Sequence, residues 1–202
     1  MLHIVIATRN RRKVVELKGL LPVRGVRWHS LSEFPRVRDV RETGRTFQAN
    51  AIQKARAVAR ATRCLALADD SGLEVDALDG APGIFSARFA GSHGNDRANN
   101  HRLLRLLAAQ PPTRRRARYR CVLALASPSR VIALARGQWA GRIATRLAGH
   151  RGFGYDPIFL VPGMGKTVGQ LPTRVKQRLS HRAVAARRLR PVLQRLVRQA
   201  SG

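Results

Sequence analysis

An α/β domain built around a mixed sheet is the fold class this sequence predicts, and three observations carry it. Short apolar runs at 2–7 and 65–68 end in polar loops, as buried strands do. Between them, segments such as 46–62 and 96–110 place apolar residues three and four apart, the helical period. Two β-like runs, 118–126 and 131–137, flank Ser127-Pro128-Ser129-Arg130 and read as an antiparallel hairpin, so strand directions mix. At 202 residues the chain is one domain, or one domain with a lobe attached.

The elements follow in order. After the first strand come Thr8-Arg9-Asn10 and a helix over 13–21, whose Val14, Leu17, Lys18 and Leu21 make an amphipathic set closed by Pro22 and Gly25. A strand, a polar loop and a helix start place backbone N–H groups where they can hold an anion. A loop rich in Arg, Glu and Pro spans 30–44. The helix over 46–62 packs Phe47, Ala49, Ile52, Ala55 and Ala59. The strand at 65–68 ends directly in Asp69-Asp70 and Ser71-Gly72, and Gly80-Ala81-Pro82-Gly83 is a turn. The helix over 96–110 carries Leu103, Leu104, Leu106 and Leu107 and stops at Pro111-Pro112. Beyond the hairpin lie an extended segment over 138–145 and a short apolar run over 158–161. A helix over 180–199 closes the chain, kinked or split by Pro191.

The 39 basic side chains outnumber the 11 acids, for a net charge of +28. Such a field attracts polyanions, nucleic acids and nucleoside triphosphates alike. The arginines are scattered over nearly every segment and aromatics are few, which argues against a base-stacking platform. Cys64 and Cys121 stand alone in apolar runs and read as buried free thiols. The N-terminus lacks the pattern of a signal peptide and no window is apolar enough to span a membrane, so a cytoplasmic enzyme is expected.

The scarce acid is concentrated in the run LALADDSGLEVDALDGAPGIFSAR, which holds Asp69, Asp70, Glu74, Asp76 and Asp79. Adjacent carboxylates repel, and a fold that keeps them together supplies a cation; a hard divalent ion such as Mg²⁺ takes oxygen ligands of this kind. The plain alternative for the pair is a solvated turn. Thr8, Asn10 and Lys13 surround the first helix start and suit a triphosphate, although Lys13 is equally an ordinary helix lysine. Asn50 and Lys54 share one helix face and interrupt an apolar stripe. Glu42, in the loop before that helix, completes a carboxylate cluster with Asp69 and Asp70. Phe153-Gly154-Tyr155-Asp156 offers two rings and a carboxylate, suited either to a purine or to a glycine-rich turn with core anchors. Ser180 is a reasonable N-cap, with His181 and Arg182 projecting from the first turn of the last helix and Lys176 just upstream.

In this order, ATRNRRK, ETGRTFQANAIQKA, LADDSGLEVDALDGAPGIFSARFAG, GFGYDPIFLVP and SHRAVA make the chain resemble the inosine/xanthosine triphosphate pyrophosphatase family, the Ham1-like enzymes. The resemblance implies a central twisted mixed sheet flanked by helices, with a smaller lobe and a triphosphate site in the cleft between. It implies a homodimeric, Mg²⁺-dependent hydrolase that converts ITP, dITP or XTP to the monophosphate and pyrophosphate, with no membrane and no nucleic acid required. It makes Asp70 and Lys54 catalytic, and Asp70, Glu42 and Asp69 the metal ligands. Substrate contacts fall on Thr8, Arg9, Asn10, Arg11, Arg12, Lys13, Ser71, Phe153, Gly154, Tyr155, Asp156, Lys176, His181 and Arg182. In the mechanism so implied, Asp70 activates water while Lys54 and Lys13 stabilise charge on the phosphates. Arg9 stands where the family often has Gly, and QLPTRVKQR around Lys176 lacks the usual acids. A nucleic-acid-binding module and a pyrophosphatase for modified pyrimidine nucleotides are the two rival readings.

Overall fold

The computed structural model describes residues 1–92 and 94–200. Six strands are hydrogen-bonded in the order β2-β1-β3-β4-β5-β6, with β1 at Leu2–Ile6, β2 at Val26–Ser30, β3 at Leu65–Val75, β4 at Arg116–Ala126, β5 at Val131–Ile143 and β6 at Phe159–Leu160. The helices are α1 (Arg11–Leu20), α2 (Phe47–Thr62), α3 (Asp96–Leu106), α4 (Thr173–Leu179) and α5 (His181–Gln199). β1 runs parallel to both β2 and β3, while β5 and β6 are antiparallel, so the sheet is mixed as expected. Only four residues join β4 to β5, closed by Ser127 N–H donating to Arg130 O at 2.9 Å; a connection that short makes a hairpin. Among the described residues no helix is long and apolar enough to cross a membrane.

The chain forms two compact units. The first takes Met1–Asp70, Cys121–Gly137 and the segment from Arg182; the second takes Ser71–Arg120 and Gln138–His181. Each has its own core. In the first unit Ile4 and Ile6 of β1, Leu67 of β3, and Cys121, Leu123 and Leu125 of β4 pack with Leu17 of α1 and Leu189 and Leu193 of α5. Side chains alternate across a strand, so Ala66 and Ala68 face the other way. These small side chains, with Ala51, Ala55 and Ala59 of α2, are wholly buried and permit close backbone approach. In the second unit Leu73 and Val75 of β3 pack with Leu103, Leu107, Tyr119, Trp139, Ile158 and Phe159.

Several expectations need correction. The strand expected at 65–68 runs to Val75, so the two aspartates lie inside it rather than at its end. The segments 131–137 and 138–145, expected separately, form one strand as far as Ile143, with Ala144 and Thr145 beyond it. α3 ends at Leu106, short of Gln110. α5 passes through Pro191 as one element, because Leu189 and Leu193 on either side of the exposed proline are anchored in the same core. β2 and α4 went unforeseen. β2 carries only Val26 and Trp28 as apolar residues among polar ones, and α4 only Val175 and Leu179. Cys121 is buried and Cys64 half-buried, both as free thiols.

Candidate active site

β3 outruns β1, with which it pairs at Ile4↔Leu65, Val5↔Ala66 and Ile6↔Leu67. The loop after β1 therefore meets the continuation of β3, where Asp69 and Asp70 stand. Being consecutive in a strand, they project to opposite faces. Asp69 accepts from Lys13 Nζ of α1 at 2.8 Å on Oδ1, and from Arg182 Nε of α5 at 2.7 Å and Cys121 Sγ at 3.4 Å on Oδ2. Arg182 also donates to Glu16 Oε2 at 2.9 Å. Burial alone pushes the Asp69 carboxyl up, but Arg182 and Lys13 outweigh it and hold the group well below the usual range. Burial and the nearby Asp69 charge push the Cys121 thiol well up.

On the other face Lys54 Nζ donates to Asp70 Oδ1 at 2.7 Å, to Glu42 Oε1 at 2.8 Å and to Asp69 main-chain O at 3.0 Å. Burial pushes the ammonium down, but Asp70 and Glu42 more than restore it, so Lys54 stays protonated. For Asp70 the balance tips the other way: burial raises its affinity for a proton beyond what Lys54 takes back. The loop that brings Glu42 here is fixed by α2. Thr46 caps the helix by accepting from Ala49 N–H at 3.0 Å, and buried Asn50 accepts from Gly44 N–H at 2.8 Å. Gly44 has to be glycine, since a Cβ there would lie 2.6 Å from Asn50 Oδ1.

The loop before α1 differs from expectation. Asn10 Oδ1 accepts from the N–H groups of Arg12 and Lys13 at 3.0 and 3.2 Å, so these amides are capped by the chain itself rather than offered to an anion. Thr8 Oγ1 accepts from Asn10 N–H at 3.2 Å. Arg9 reaches Asp39 Oδ1 at 2.7 Å and Val37 O at 2.6 Å. Arg11 and Arg12 are exposed. Anion contact at this end thus falls to side chains.

The second unit holds another buried carboxylate. Asp156 Oδ2 accepts from Lys176 Nζ at 2.6 Å and Phe153 N–H at 2.8 Å, and Oδ1 from Tyr119 OH at 3.1 Å. Gly152 takes φ +79°, and a Cβ on it would fall 1.9 Å from Asp156 Oδ2. The Lys176 ammonium also lies 4.2 Å from the centroid of the half-buried Phe153 ring, within cation–π range. Tyr155 is a core anchor, its hydroxyl donating to Ser86 O at 2.9 Å, rather than a second ring face for a base. His181 is buried and stacks on Tyr119 at 4.6 Å and 12°. Neither it nor Arg182 projects from α5: Arg182 is only 3% exposed. Ser71 is half-buried.

Sequence reading missed Glu16, Asp96, Asn100 and Tyr119. Asp96 Oδ2 accepts from Gly154 N–H at 2.8 Å, and Asn100 Nδ2 donates to Gly154 O at 2.8 Å, so the first turn of α3 clamps the glycine turn. The signal was there: Asp96 and Asn100 share a helix face with the buried Leu103 and Leu107, so two polar groups extend an apolar stripe.

Two carboxylate oxygens converging on one cation are a donor set that fits a hard divalent ion. Among the described residues no three or more His, Cys, Asp or Glu side chains are grouped to hold a metal. Glu42 and Asp70, whose oxygens converge on the Lys54 ammonium, are the pair that could hold a divalent ion, with water and substrate phosphate completing its shell. Asp69, engaged by Arg182 and Lys13, belongs to a different set from the Glu42–Asp70 pair.

Residues 4–192 match the model of the Ham1 family. The dITP/XTP pyrophosphatase of Rhodopirellula baltica is 48% identical over 202 residues, covering all of this chain and 97% of that one. The dITP/XTP pyrophosphatase of Desulforamulus reducens is 49% identical over 195 residues, 96% of this chain and 97% of that one. Among solved structures, a HAM1 protein from Coxiella burnetii superposes with a TM-score of 0.88 at 41% identity, covering 96% of this chain and all of that one.

Proposed function

This chain belongs to the Ham1 family, and from that premise we propose that it hydrolyses non-canonical purine nucleoside triphosphates, dITP, ITP and XTP, to the monophosphate and pyrophosphate. The observation that carries the reading is the ammonium of Lys54 held between Asp70 and Glu42. A proton-hungry carboxylate, a second carboxylate and a fixed cation are what water attack on a phosphoanhydride needs.

Asp70, with its raised proton affinity, orients the attacking water and takes its proton. Lys54 faces the charge that gathers on the phosphate oxygens, and Lys13, aimed by Asp69, adds a second ammonium. Asp70 and Glu42 would hold Mg²⁺, whose chemistry there would be further neutralisation of the phosphate oxygens. In the second unit Phe153 is the ring for a purine to stack on. Lys176 beside it is a donor that favours a 6-keto oxygen and disfavours a 6-amino group, because a mismatched group leaves a polar partner unpaired. The proposal extends to the cytoplasm, because the substrates belong to the nucleotide pool. Likeness to the family extends the proposal to a homodimer, checked by sedimentation equilibrium.

Pyrophosphate release from a panel of ITP, dITP, XTP, ATP, GTP and a modified pyrimidine triphosphate tests the reading. Inosine and xanthosine nucleotides should exceed ATP in kcat/KM by ~10²-fold, and EDTA should abolish turnover. Equal specificity for ATP and ITP, or preference for the pyrimidine, overturns it.

A further inference from the structure

Arg114 and Arg116 line a cavity of about 370 Å³ in the second unit, together with Asp76, Ala77, Gln110 and Thr113. The residue between the two arginines explains how their backbone is held. Arg115 is buried, and its guanidinium donates to main-chain oxygens alone: Leu107 O at 2.5 Å, Gln110 O at 3.4 Å, Ile143 O at 2.9 Å and Ala144 O at 2.6 Å. This fork ties the end of α3 to the end of β5 and fixes residues 114–116 where they pass. Pro111 and the one-turn helix Pro112–Arg114 stiffen the approach. Along β4 residues alternate, so Arg116 points out where Ala117 and Tyr119 point into the core.

Among the described residues neither Arg114 nor Arg116 makes an ion pair or side-chain hydrogen bond, and both are exposed. The acid on the cavity wall, Asp76, already pairs with Arg118 at 3.3 Å. Between them in sequence, Arg115 adds a third positive charge, buried on main-chain oxygens. Two guanidinium forks, a hydroxyl from Thr113 and an amide from Gln110 are the donors that phosphate oxygens take, and arginine does so in bidentate fashion. The volume is that of a small-molecule site.

We propose that this cavity binds a phosphate group, free or carried on a small molecule of nucleotide size, with Asp76 accepting from a ligand hydroxyl or amine. It shares no residue with the Lys54 cluster or the Phe153 turn and does not rest on the proposed hydrolysis.

Calorimetric titration of the full chain at ~150 mM salt, where diffuse attraction is screened, tests it with inorganic phosphate and adenosine 5′-monophosphate as separate probes. The wild type is compared with R114A/R116A, R114K/R116K and, as a control for overall charge, R195A/R198A. R114A/R116A should lose one site per chain, its Kd weakened at least ~10-fold, with pyrophosphate release unchanged. The lysine pair should fall between, and the control should match the wild type. Tighter binding of the monophosphate identifies an esterified ligand; binding of phosphate alone identifies the free anion. Wild-type binding of both probes by R114A/R116A, or equal weakening in R195A/R198A, overturns the proposal. Should the chain hydrolyse no triphosphate, these titrations still stand, because none reads turnover at this cavity.

Discussion

Asp69 and Asp70 are neighbours in β3, yet their carboxylates answer to different cations: Asp69 to Arg182 and Lys13, Asp70 to Lys54. Their substitutions should therefore fail differently. Asp70→Asn keeps the shape and lowers pyrophosphate release from ITP by ~10² to 10³, with little change in the urea midpoint. Asp69→Asn leaves the buried Arg182 without its closest anion and should cost about 3–5 kcal/mol of stability. If Asp70→Asn turns over ITP near the wild-type rate, the catalytic assignment is lost.

The pH dependence of stability should single out Asp69. Its folded pKa lies well below the ordinary 3.8, so its contribution is fully present above that value and disappears as pH falls through the lower, folded one. In metal-free buffer the stability gap between wild type and Asp69→Asn should stay flat from neutral pH to about 5. It should close only in strong acid. A gap that closes between pH 7 and 5 contradicts the depressed carboxyl.

Gly152→Ala probes the second carboxylate without touching it. The added methyl meets Asp156 Oδ2 at 1.9 Å, on a backbone already at φ +79°. Displacing that oxygen loosens both the Phe153 amide and Lys176, so KM for ITP should rise more than kcat falls. Unchanged KM would separate this turn from the base.

Lys176→Met removes the ammonium 2.6 Å from Asp156 and the cation over Phe153. Urea denaturation should show a loss of about 3–5 kcal/mol from a broken buried pair. Discrimination between ITP and ATP should fall as well, read as the ratio of their kcat/KM values. Full discrimination in a stable variant would dismiss Lys176 as the donor.

The two thiols should differ in reactivity. Cys121 is buried beside Asp69 with its pKa pushed well up, so little thiolate forms. Native alkylation at pH 8 followed by mass spectrometry should label Cys64 long before Cys121. In Asp69→Asn the Cys121 lag should shorten as the structure loosens.

Strands β1 and β4 and helices α1 and α2 were legible because each announces itself locally, whereas Glu42, expected beside both aspartates, is joined through Lys54 to Asp70. Apolar runs, 3.6-residue spacing and a lone polar pair on an apolar helix face are all short-range signals. β2 and α4 were not, since both depend on a neighbouring surface to cover one or two apolar residues. Polar partnerships were the least legible. Arg182 and Asp156 carry charge that a sequence reader offers to a ligand; the fold gives both to internal partners from distant segments, Asp69 and Glu16 in one case, Tyr119 and Lys176 in the other. Nothing local distinguishes a buried ion pair from a binding one.

The parity of β3 sets which aspartate faces Lys54 and which faces Lys13 and Arg182. Inserting one residue between Leu67 and Ala68, with the β1 pairing kept, would turn each carboxylate to the other face. The composition of the strand would hardly change, but the place under Arg182 would lose its anion, while Asp69 would take the place beside Lys54. Two inserted residues would restore both orientations but carry the carboxylates about 6.6 Å along the strand, out of reach of Lys54, Lys13 and Arg182. Along this stretch the chain is read by odd and even for facing and by length for reach.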